Sequence, residues 1–148
     1  MSLIIREMKE ADVETVSKIE EECFSMPWKP DDFREMIERD NMTYVVAELD
    51  GIIIGGAGIR CIVGDGEITN VAILPAYRGN GYSKPMLEEL IFYGKKLGCS
   101  AFTLEVRVSN EPAIRLYKSL GFEESGIRPG FYEHPREDAL IMWKTESV

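Results

Sequence analysis

The sequence has a single histidine, His134, and only three cysteines, Cys23, Cys61 and Cys99. One histidine leaves almost nothing from which a histidine-based metal site or catalytic triad could be built. The cysteines are odd in number and widely spaced, which argues against a disulfide framework and against a zinc site. We therefore expect no metal, and the cysteine usage favours reduced thiols in a cytoplasmic protein.

Long apolar runs and an excess of basic residues are also absent. No stretch approaches the roughly 20 apolar residues of a membrane helix, and the first residues, MSLIIREMKEADVE, lack a signal-peptide core. The net charge of −9 disfavours nucleic-acid binding, because phosphates are neutralised by Lys and Arg. We expect neither a membrane nor a nucleic acid as a partner. A basic peptide or an amine would suit this charge, which could equally serve only solubility.

The length of 148 residues, with 45% hydrophobic and 29% charged residues, predicts one globular domain over residues 1–148. Apolar periodicity and turn residues predict the order β-α-α-β-β-β-α-β-α-β-β. Asp50-Gly51 predicts a hairpin turn, GDG at 64–66 a second turn, and Gly98 the end of a helix. Early hairpins, one βαβ crossover and a closing hairpin indicate an α+β fold with a mixed, mostly antiparallel sheet.

The segment RGNGYS, residues 78–83, lies where a predicted strand gives way to a predicted helix. The first N–H groups of a helix lack internal partners and carry partial positive charge, so glycine-rich backbone there suits a phosphate. Arg78 would add a charge-assisted bond and Ser83 a hydroxyl. The segment matches neither the Walker nor the dinucleotide pattern, and a plain left-handed turn is the alternative. GGAG at 55–58 lies inside a strand and predicts a bulge or a close backbone approach.

The stretch NVAILPAYRGNGYSKPMLEEL, residues 70–90, resembles the acetyl-CoA motif V-x-P-x-x-R/Q-x-x-G-x-G/A of the GNAT acetyltransferases. Arg78, Gly81 and Ser83 match its arginine, glycine and final small-residue positions, although the family usually has glycine or alanine at the last. Three further blocks resemble the RimI-like branch, the ribosomal-protein-alanine N-acetyltransferases: CFSMPW at 23–28, LEVRVSNEPAIRLYKSLGF at 104–122 and EDALIM at 137–142. The resemblance covers nearly the whole chain in the right order.

This resemblance implies a GNAT fold with helices on both faces of the sheet, and acetyl-CoA as co-substrate. In the family, two neighbouring parallel strands splay and the pantetheine arm pairs with the exposed edge like an added strand. Asn110 is either an ordinary helix cap or, as the family implies, a cofactor contact as well. The other cofactor-binding residues that the resemblance implies are Val71, Ala72, Ile73, Arg78, Gly79, Asn80, Gly81, Tyr82, Ser83 and Lys84.

Glu105 is the candidate general base. It interrupts the apolar stretch FTLEV, so its carboxylate either faces a cleft or suffers a burial penalty. The alternative is a purely structural role, in an ion pair with Arg107, two residues away on the same strand face. Glu67 is a rival base, but its place beside the GDG turn favours a solvated carboxylate. The match to the RimI-like branch implies that Glu105 is the catalytic glutamate.

Tyr117 is the candidate proton donor. It lies on a helical stripe with Ala113, Leu116 and Leu120, and this spacing alone favours an ordinary core tyrosine. The resemblance implies instead that this tyrosine protonates the sulfur of coenzyme A. A phenol with a pKa of about 10 is a reasonable acid for a departing thiolate.

Phe24, Trp28 and Tyr132 are large side chains in predicted loops, the last between predicted strands at 122–128 and 137–144. They close over a core edge or, as the resemblance implies, surround an incoming peptide N-terminus. We therefore expect an acetyltransferase acting on a protein N-terminal α-amine, in particular the alanine of a ribosomal protein. The alternatives are a lysine or small-amine acetyltransferase and a non-catalytic acyl-CoA-binding module. The module should lack the Glu105–Tyr117 pair.

Overall fold

The computed structural model describes residues 2–145, and its helices and strands follow the order that the sequence predicts. None of the helices in this range has the length and apolar character needed to cross a bilayer. The elements are β1 Leu3–Glu7, α1 Val13–Cys23, α2 Pro30–Glu38, β2 Met42–Leu49, β3 Ile52–Ile62, β4 Asp65–Ile73, α3 Ser83–Lys96, β5 Ala101–Arg107, α4 Glu111–Ser119, β6 Glu123–Tyr132 and β7 Glu137–Thr145.

The strands form one sheet in the order β1-β2-β3-β4-β5-β7-β6. Neighbouring strands pair antiparallel except β4 and β5, which are parallel and are connected through α3. A parallel pair needs such a crossover, whereas the hairpins close with short turns. The predicted mixed, mostly antiparallel sheet is therefore confirmed.

Helices cover both faces of the sheet. Val45 and Ala47 of β2 join the larger apolar core, to which α3 contributes Leu87 and Leu90. Tyr44 and Val46 point the other way, into a smaller core that includes Val16 of α1 and Phe33 and Met36 of α2. Successive side chains of a strand lie on opposite faces, so β2 supplies both cores and is buried on both sides.

The turn before β4 lies earlier than the sequence predicts. Val63 and Gly64 occupy its two left-handed positions, with φ of 48° and 84°, and β4 already begins at Asp65. Gly66 is therefore a strand residue, where an added Cβ would come within 2.9 Å of Ile59 and 3.0 Å of Phe102. The first hairpin turn, at Asp50-Gly51, is confirmed, with φ of 49° and 86°.

The closing hairpin is also longer than predicted. Pairing moves four positions along β6, from Arg128 to Tyr132, but only two along β7, from Ala139 to Glu137. The extra residues form a bulge around Gly130, whose N–H donates to Asp138 Oδ1 at 2.8 Å. Tyr132 is consequently the last residue of a strand and not a loop residue, because the bulge lets β6 continue past Pro129.

Candidate active site

The site is built around a gap between β4 and β5. These strands pair only from Asp65 with Ala101 to Glu67 with Thr103. Within the described part of the chain, β4 continues to Ile73 and β5 to Arg107 without pairing further with each other, so the two strands splay as the resemblance implies. We call the β5-facing backbone of 68–73 the cofactor edge. An extended ligand can add to it as a strand does.

A β-bulge interrupts β4 in the middle of the cofactor edge. Pairing moves three positions along β4, from Thr69 to Ala72, but two along β3, from Gly58 to Gly56. The bulge residue Asn70 has a φ of 56°, in the left-handed region. The glycines of β3 are confirmed as a close approach, because a Cβ on Gly56 would lie 2.5 Å from the Tyr44 ring. Val71, which follows Asn70, is half-buried, and Ala72 and Ile73 are buried.

Beyond β4, the glycine-rich turn presents free backbone donors. Gly79 and Gly81 have φ of 81° and 79°, and an added Cβ at either would meet open space, so conformation and not crowding calls for glycine. Within residues 2–145, the N–H groups of 79–84 make no backbone hydrogen bond. These donors lie in the turn before α3 and in its first residues, where the helix dipole adds positive charge. The turn therefore fits the pyrophosphate of coenzyme A.

Side chains of the turn hold its shape. Arg78 Nε donates to the Ile73 carbonyl at 2.8 Å, and its Nη2 lies 3.6 Å from Cys23 Sγ. Asn80 Nδ2 donates to the Tyr77 carbonyl at 3.0 Å. Arg78 thus ties the end of β4 to the turn, besides any contact with an anion. Of the remaining predicted residues here, Tyr82 and Ser83 are half-buried and Lys84 is exposed.

Asn110 lies at the start of α4, at the end of β5. Its Oδ1 accepts a hydrogen bond from the Ala113 N–H at 3.3 Å, so the predicted helix cap is confirmed. Its contact with coenzyme A stays a prediction.

Glu105 carries an unusual buried oxygen. Leu104 and Val106 are buried in the larger core, and the alternation of β5 turns Glu105 to the opposite face. Its Oε2 lies 3.6 Å from Arg128 Nη1, which is ion-pair range but too long for a hydrogen bond. Within residues 2–145 this oxygen is shielded from solvent and has no hydrogen-bond partner. An unsatisfied buried acceptor is costly, and a ligand N–H could satisfy it.

The predicted alternative of an ion pair between Glu105 and Arg107 is wrong. Arg107 Nη1 donates to the Pro135 carbonyl at 2.9 Å and to Glu137 Oε1 at 3.2 Å. The Arg107 guanidinium also lies over the Tyr132 ring, 4.5 Å from its centroid. The β6–β7 turn folds back over the end of β5 and accepts hydrogen bonds from Arg107. Strand alternation cannot predict this long-range contact.

The rival Glu67 lies where β4 and β5 still pair. Its Oε2 accepts a hydrogen bond from Arg60 Nη2 at 3.0 Å, and its side chain is 38% exposed. It therefore forms a surface ion pair at the closed end of the gap.

Tyr132 lies in the electrostatic neighbourhood of Glu105, and Tyr117 lies in that of Tyr132. Burial, together with the Glu105 carboxylate, raises the pKa of Tyr132 to about 12. Burial also raises the pKa of Tyr117 above its ordinary value of 10, and Tyr132 adds to this effect. Tyr117 is 6% exposed and packs against Phe122, so it is a core residue in this structure. Both phenols hold their protons at neutral pH.

Residues 24–29, which we call the acceptor-side segment, connect α1 to α2 and meet the β6–β7 turn. Ser25 Oγ donates to the Glu133 carbonyl at 3.5 Å, which brings the segment beside Tyr132. Phe24 and Trp28 are half-buried, and the Trp28 ring packs on Phe33 with centroids 5.5 Å apart. Trp28 therefore closes the edge of the smaller core, whereas Phe24 and Tyr132 lie in the two segments that adjoin.

Two contacts in this region were not predicted from the sequence. One is the approach of Arg128 to Glu105, and the other is a hydrogen bond from Asn70 Nδ2 to Glu20 Oε1 at 2.5 Å. The signal for the second is present in the sequence: Glu20 falls one turn after Val16 on the apolar face of α1, and Asn70 interrupts an apolar strand. For Arg128 we find no such signal.

The chain is similar in sequence to known proteins. Residues 13–122 match the acetyltransferase (GNAT) family. A Bacillus subtilis relative, provisionally named a ribosomal protein bS18-alanine N-acetyltransferase, is 40% identical over 142 residues, covering 95% of this chain and 94% of that protein. The Haemophilus influenzae ribosomal protein bS18-alanine N-acetyltransferase is 34% identical over 144 residues, covering 94% and 96%.

Among solved structures, the ribosomal-protein-S18-alanine N-acetyltransferase from Escherichia coli gives a TM-score of 0.89 at 30% identity, covering 99% of this chain and 96% of that one. The splayed strands and the free donors of the glycine turn are what the family resemblance implies, and these matches identify the same family. The chain belongs to the GNAT acetyltransferase family and is an acetyl-CoA-dependent N-acetyltransferase.

Proposed function

We propose that the protein acetylates the N-terminal α-amine of a protein, and that its acceptor is the N-terminal alanine of a ribosomal protein. Relatives at 31–40% identity over most of the chain are named for that acceptor. The observation that carries the proposal is the buried Oε2 of Glu105 beside the gap between β4 and β5, which accepts no hydrogen bond from residues 2–145. It is a hydrogen-bond acceptor without a protein donor among the described residues, which suits an incoming amine.

Acetyl-CoA would be held by backbone more than by side chains. The N–H groups of 79–84 would bind its pyrophosphate, and the cofactor edge of β4 would pair with its pantetheine arm. Val71, which follows Asn70 in the bulge, would direct its amide at the thioester oxygen. An amide held there stabilises negative charge on that oxygen as the amine attacks.

Glu105 and Tyr117 would handle the two protons of the reaction. The amine nitrogen forms a bond to the thioester carbon, its surplus proton passes to Glu105, and the carbon–sulfur bond breaks. The sulfur leaves as a thiolate, which takes a proton from the Tyr117 hydroxyl. An α-amine has a pKa of about 8 and a thiol about 8.5, so neither transfer demands a strong base or acid at neutral pH.

The acceptor would enter between the acceptor-side segment and the β6–β7 turn. Ser25 and Glu133 bring these two segments together. Phe24 lies in the first, and Tyr132 is the strand residue just before the second. A peptide N-terminus is followed by backbone, so its groove must admit several residues behind the amine. The net charge of −9 favours an acceptor with basic residues after the alanine, chiefly by raising the encounter rate.

The test is a comparison of acceptors in a coenzyme A release assay. The three acceptors are a peptide that begins with a free alanine followed by basic residues, the same peptide blocked at its N-terminus and offering only lysine, and spermidine. We expect the free peptide to give the highest kcat/KM, with an advantage that shrinks as salt rises. Higher turnover with the blocked peptide or with spermidine would favour a lysine or small-amine acetyltransferase. Binding of acetyl-CoA with no turnover of any amine would indicate a binding module.

A further inference from the structure

Glu20 is a buried carboxyl for which the proposed reaction has no use. It lies on α1 and is 2% exposed. Asn70 Nδ2, from β4, donates a hydrogen bond to Oε1 at 2.5 Å. The backbone of Trp28 also faces the carboxyl and favours its charged form. The carboxyl therefore connects α1 to β4, 50 residues further along the chain, and faces the segment that follows α1.

Asn70 and Trp28 each belong to one side of the site. Asn70 is the bulge residue of β4, with a φ of 56°, and it immediately precedes Val71 on the cofactor edge. Trp28 lies in the acceptor-side segment, just before α2 begins at Pro30. The Glu20 carboxyl therefore lies between two parts of the proposed site. One is the strand proposed to hold the thioester, and the other is the segment proposed to border the acceptor.

Burial disfavours the charged form of the Glu20 carboxyl. Burial raises the pKa of Glu20 to about 7, while the hydrogen bond from Asn70 and the nearby backbone of Trp28 oppose that rise because they favour the charged form. The titratable groups that face it are Tyr44 of β2 and Cys23 of its own helix, and the charge on Glu20 raises the pKa of each. Beyond Cys23 lies the Arg78 guanidinium, 3.6 Å from the sulfur. A buried carboxyl in apolar surroundings is a poor source of stability, which points to a role in geometry.

We propose that Glu20 is a positioning residue, whose carboxyl ties the β4 bulge at Asn70 to the acceptor-side segment at Trp28 and so aligns the thioester with the incoming amine. The inference rests on the proposed function for the identity of the two sides. A misplacement of about 1 Å between reacting groups can lower a rate by roughly 10²-fold. Loss of the tie should therefore reduce turnover, whereas the glycine turn, which is not attached to Glu20, should keep its affinity for acetyl-CoA.

The test uses variants of the carboxyl and of its side-chain donor. Asn70→Gly removes the side-chain donor and tolerates the positive φ, and Glu20→Ala removes the acceptor. Each should lower kcat and raise the acceptor KM, so that kcat/KM falls by about 10-fold to 100-fold. The dissociation constant of acetyl-CoA should stay within about 3-fold of wild type. Glu21→Gln, an exposed neighbour on α1, is the matched control and should behave as wild type.

A double-mutant cycle shows whether the two residues act as one unit. The double variant should lose no more than either single variant, and Glu20→Gln, which keeps one acceptor oxygen, should lose less than Glu20→Ala. If Glu20→Ala fails to fold, the kcat and KM of Asn70→Gly and Glu20→Gln test the inference instead. Additive losses, or Asn70→Gly with wild-type kcat and KM and only a lower Tm, would overturn the inference.

These variants are assayed with whichever amine the wild-type protein acetylates best. A wild-type preference for lysine or spermidine refutes the proposed acceptor but still allows the cycle to be measured. Wild-type activity on the alanine peptide that is undiminished in Asn70→Gly and Glu20→Gln refutes the role of Glu20 alone. The two failures are thereby distinguished.

Discussion

Replacing Glu105 by glutamine keeps the shape of the side chain and removes its ability to take a proton. If Glu105 is the base, kcat should fall by about 10²–10⁴, and the affinity for acetyl-CoA should change little, because the glycine turn and the cofactor edge remain intact. Coenzyme A release, measured at saturating concentrations of both substrates, gives kcat. Calorimetric titration gives the dissociation constant.

The same variant should leave the stability almost unchanged. The Arg128–Glu105 ion pair spans 3.6 Å between side chains that are 54% and 29% exposed, and such pairs contribute about 0–1 kcal/mol. The Oε2 that glutamine alters has no hydrogen bond to lose. The net change should therefore stay within about 1 kcal/mol, which for a chain of this size shifts Tm by no more than about 2–4 °C.

Glu67→Gln is the matched control for this prediction. Glu67 makes an ion pair with Arg60 at 3.0 Å at the closed end of the gap, so its variant should retain wild-type kcat. The reasoning fails if Glu105→Gln turns over normally and melts at a clearly lower temperature, because Glu105 would then be a structural ion-pair partner. It also fails if Glu67→Gln is the variant that loses turnover.

Four further outcomes follow from the structure. Acetyl-CoA at about 100 times its dissociation constant should stabilise the fold by roughly 2.7 kcal/mol, a Tm shift of about 5–10 °C, and equal shifts with NAD and ATP would contradict the site. Tyr117→Phe should lower kcat, but less with a thioester of a more acidic thiol; an equal loss with both would indicate a packing role. Tyr132→Ala should raise the peptide KM more than the acetyl-CoA KM, and the reverse order would remove it from the acceptor side. Because the pKa of Glu20 is raised from 4.5 to about 7 in the fold, wild-type stability should fall relative to Glu20→Gln as pH rises between these values, and parallel curves from chemical denaturation would contradict this.

Much of the fold could be predicted because its signals are local. Apolar periodicity marks α1 and the strands, and Asp50-Gly51 and Gly98 mark a turn and a helix end at residues with positive φ. The turn before β4 could not be placed, since Val63, a β-branched residue, adopts a φ of 48° that its type disfavours. The end of β6 depends on the bulge at Gly130, which only its pairing with β7 determines.

The site is less accessible to sequence reasoning because its contacts are long-range. The glycine turn and the unusual carboxylate in FTLEV are visible in the sequence. The partner of Arg107 cannot be recognised in the sequence, because Glu137 lies 30 residues away and reaches Arg107 only after β5 and β7 pair. The Glu20–Asn70 bond likewise joins residues 50 apart. Such contacts are set by tertiary packing, and residue type suggests only that each buried polar group must find a partner.

The central claim, acetyl transfer to a peptide N-terminus, is tested most directly on one peptide that carries both kinds of amine. The peptide begins with a free alanine, continues with basic residues and contains an internal lysine. After reaction with acetyl-CoA and the protein, tandem mass spectrometry locates the acetyl group on one of the two nitrogens. The account predicts acetylation of the alanine α-amine, with the lysine unmodified at partial conversion. An acetyl group found mainly on the lysine ε-amine would contradict it.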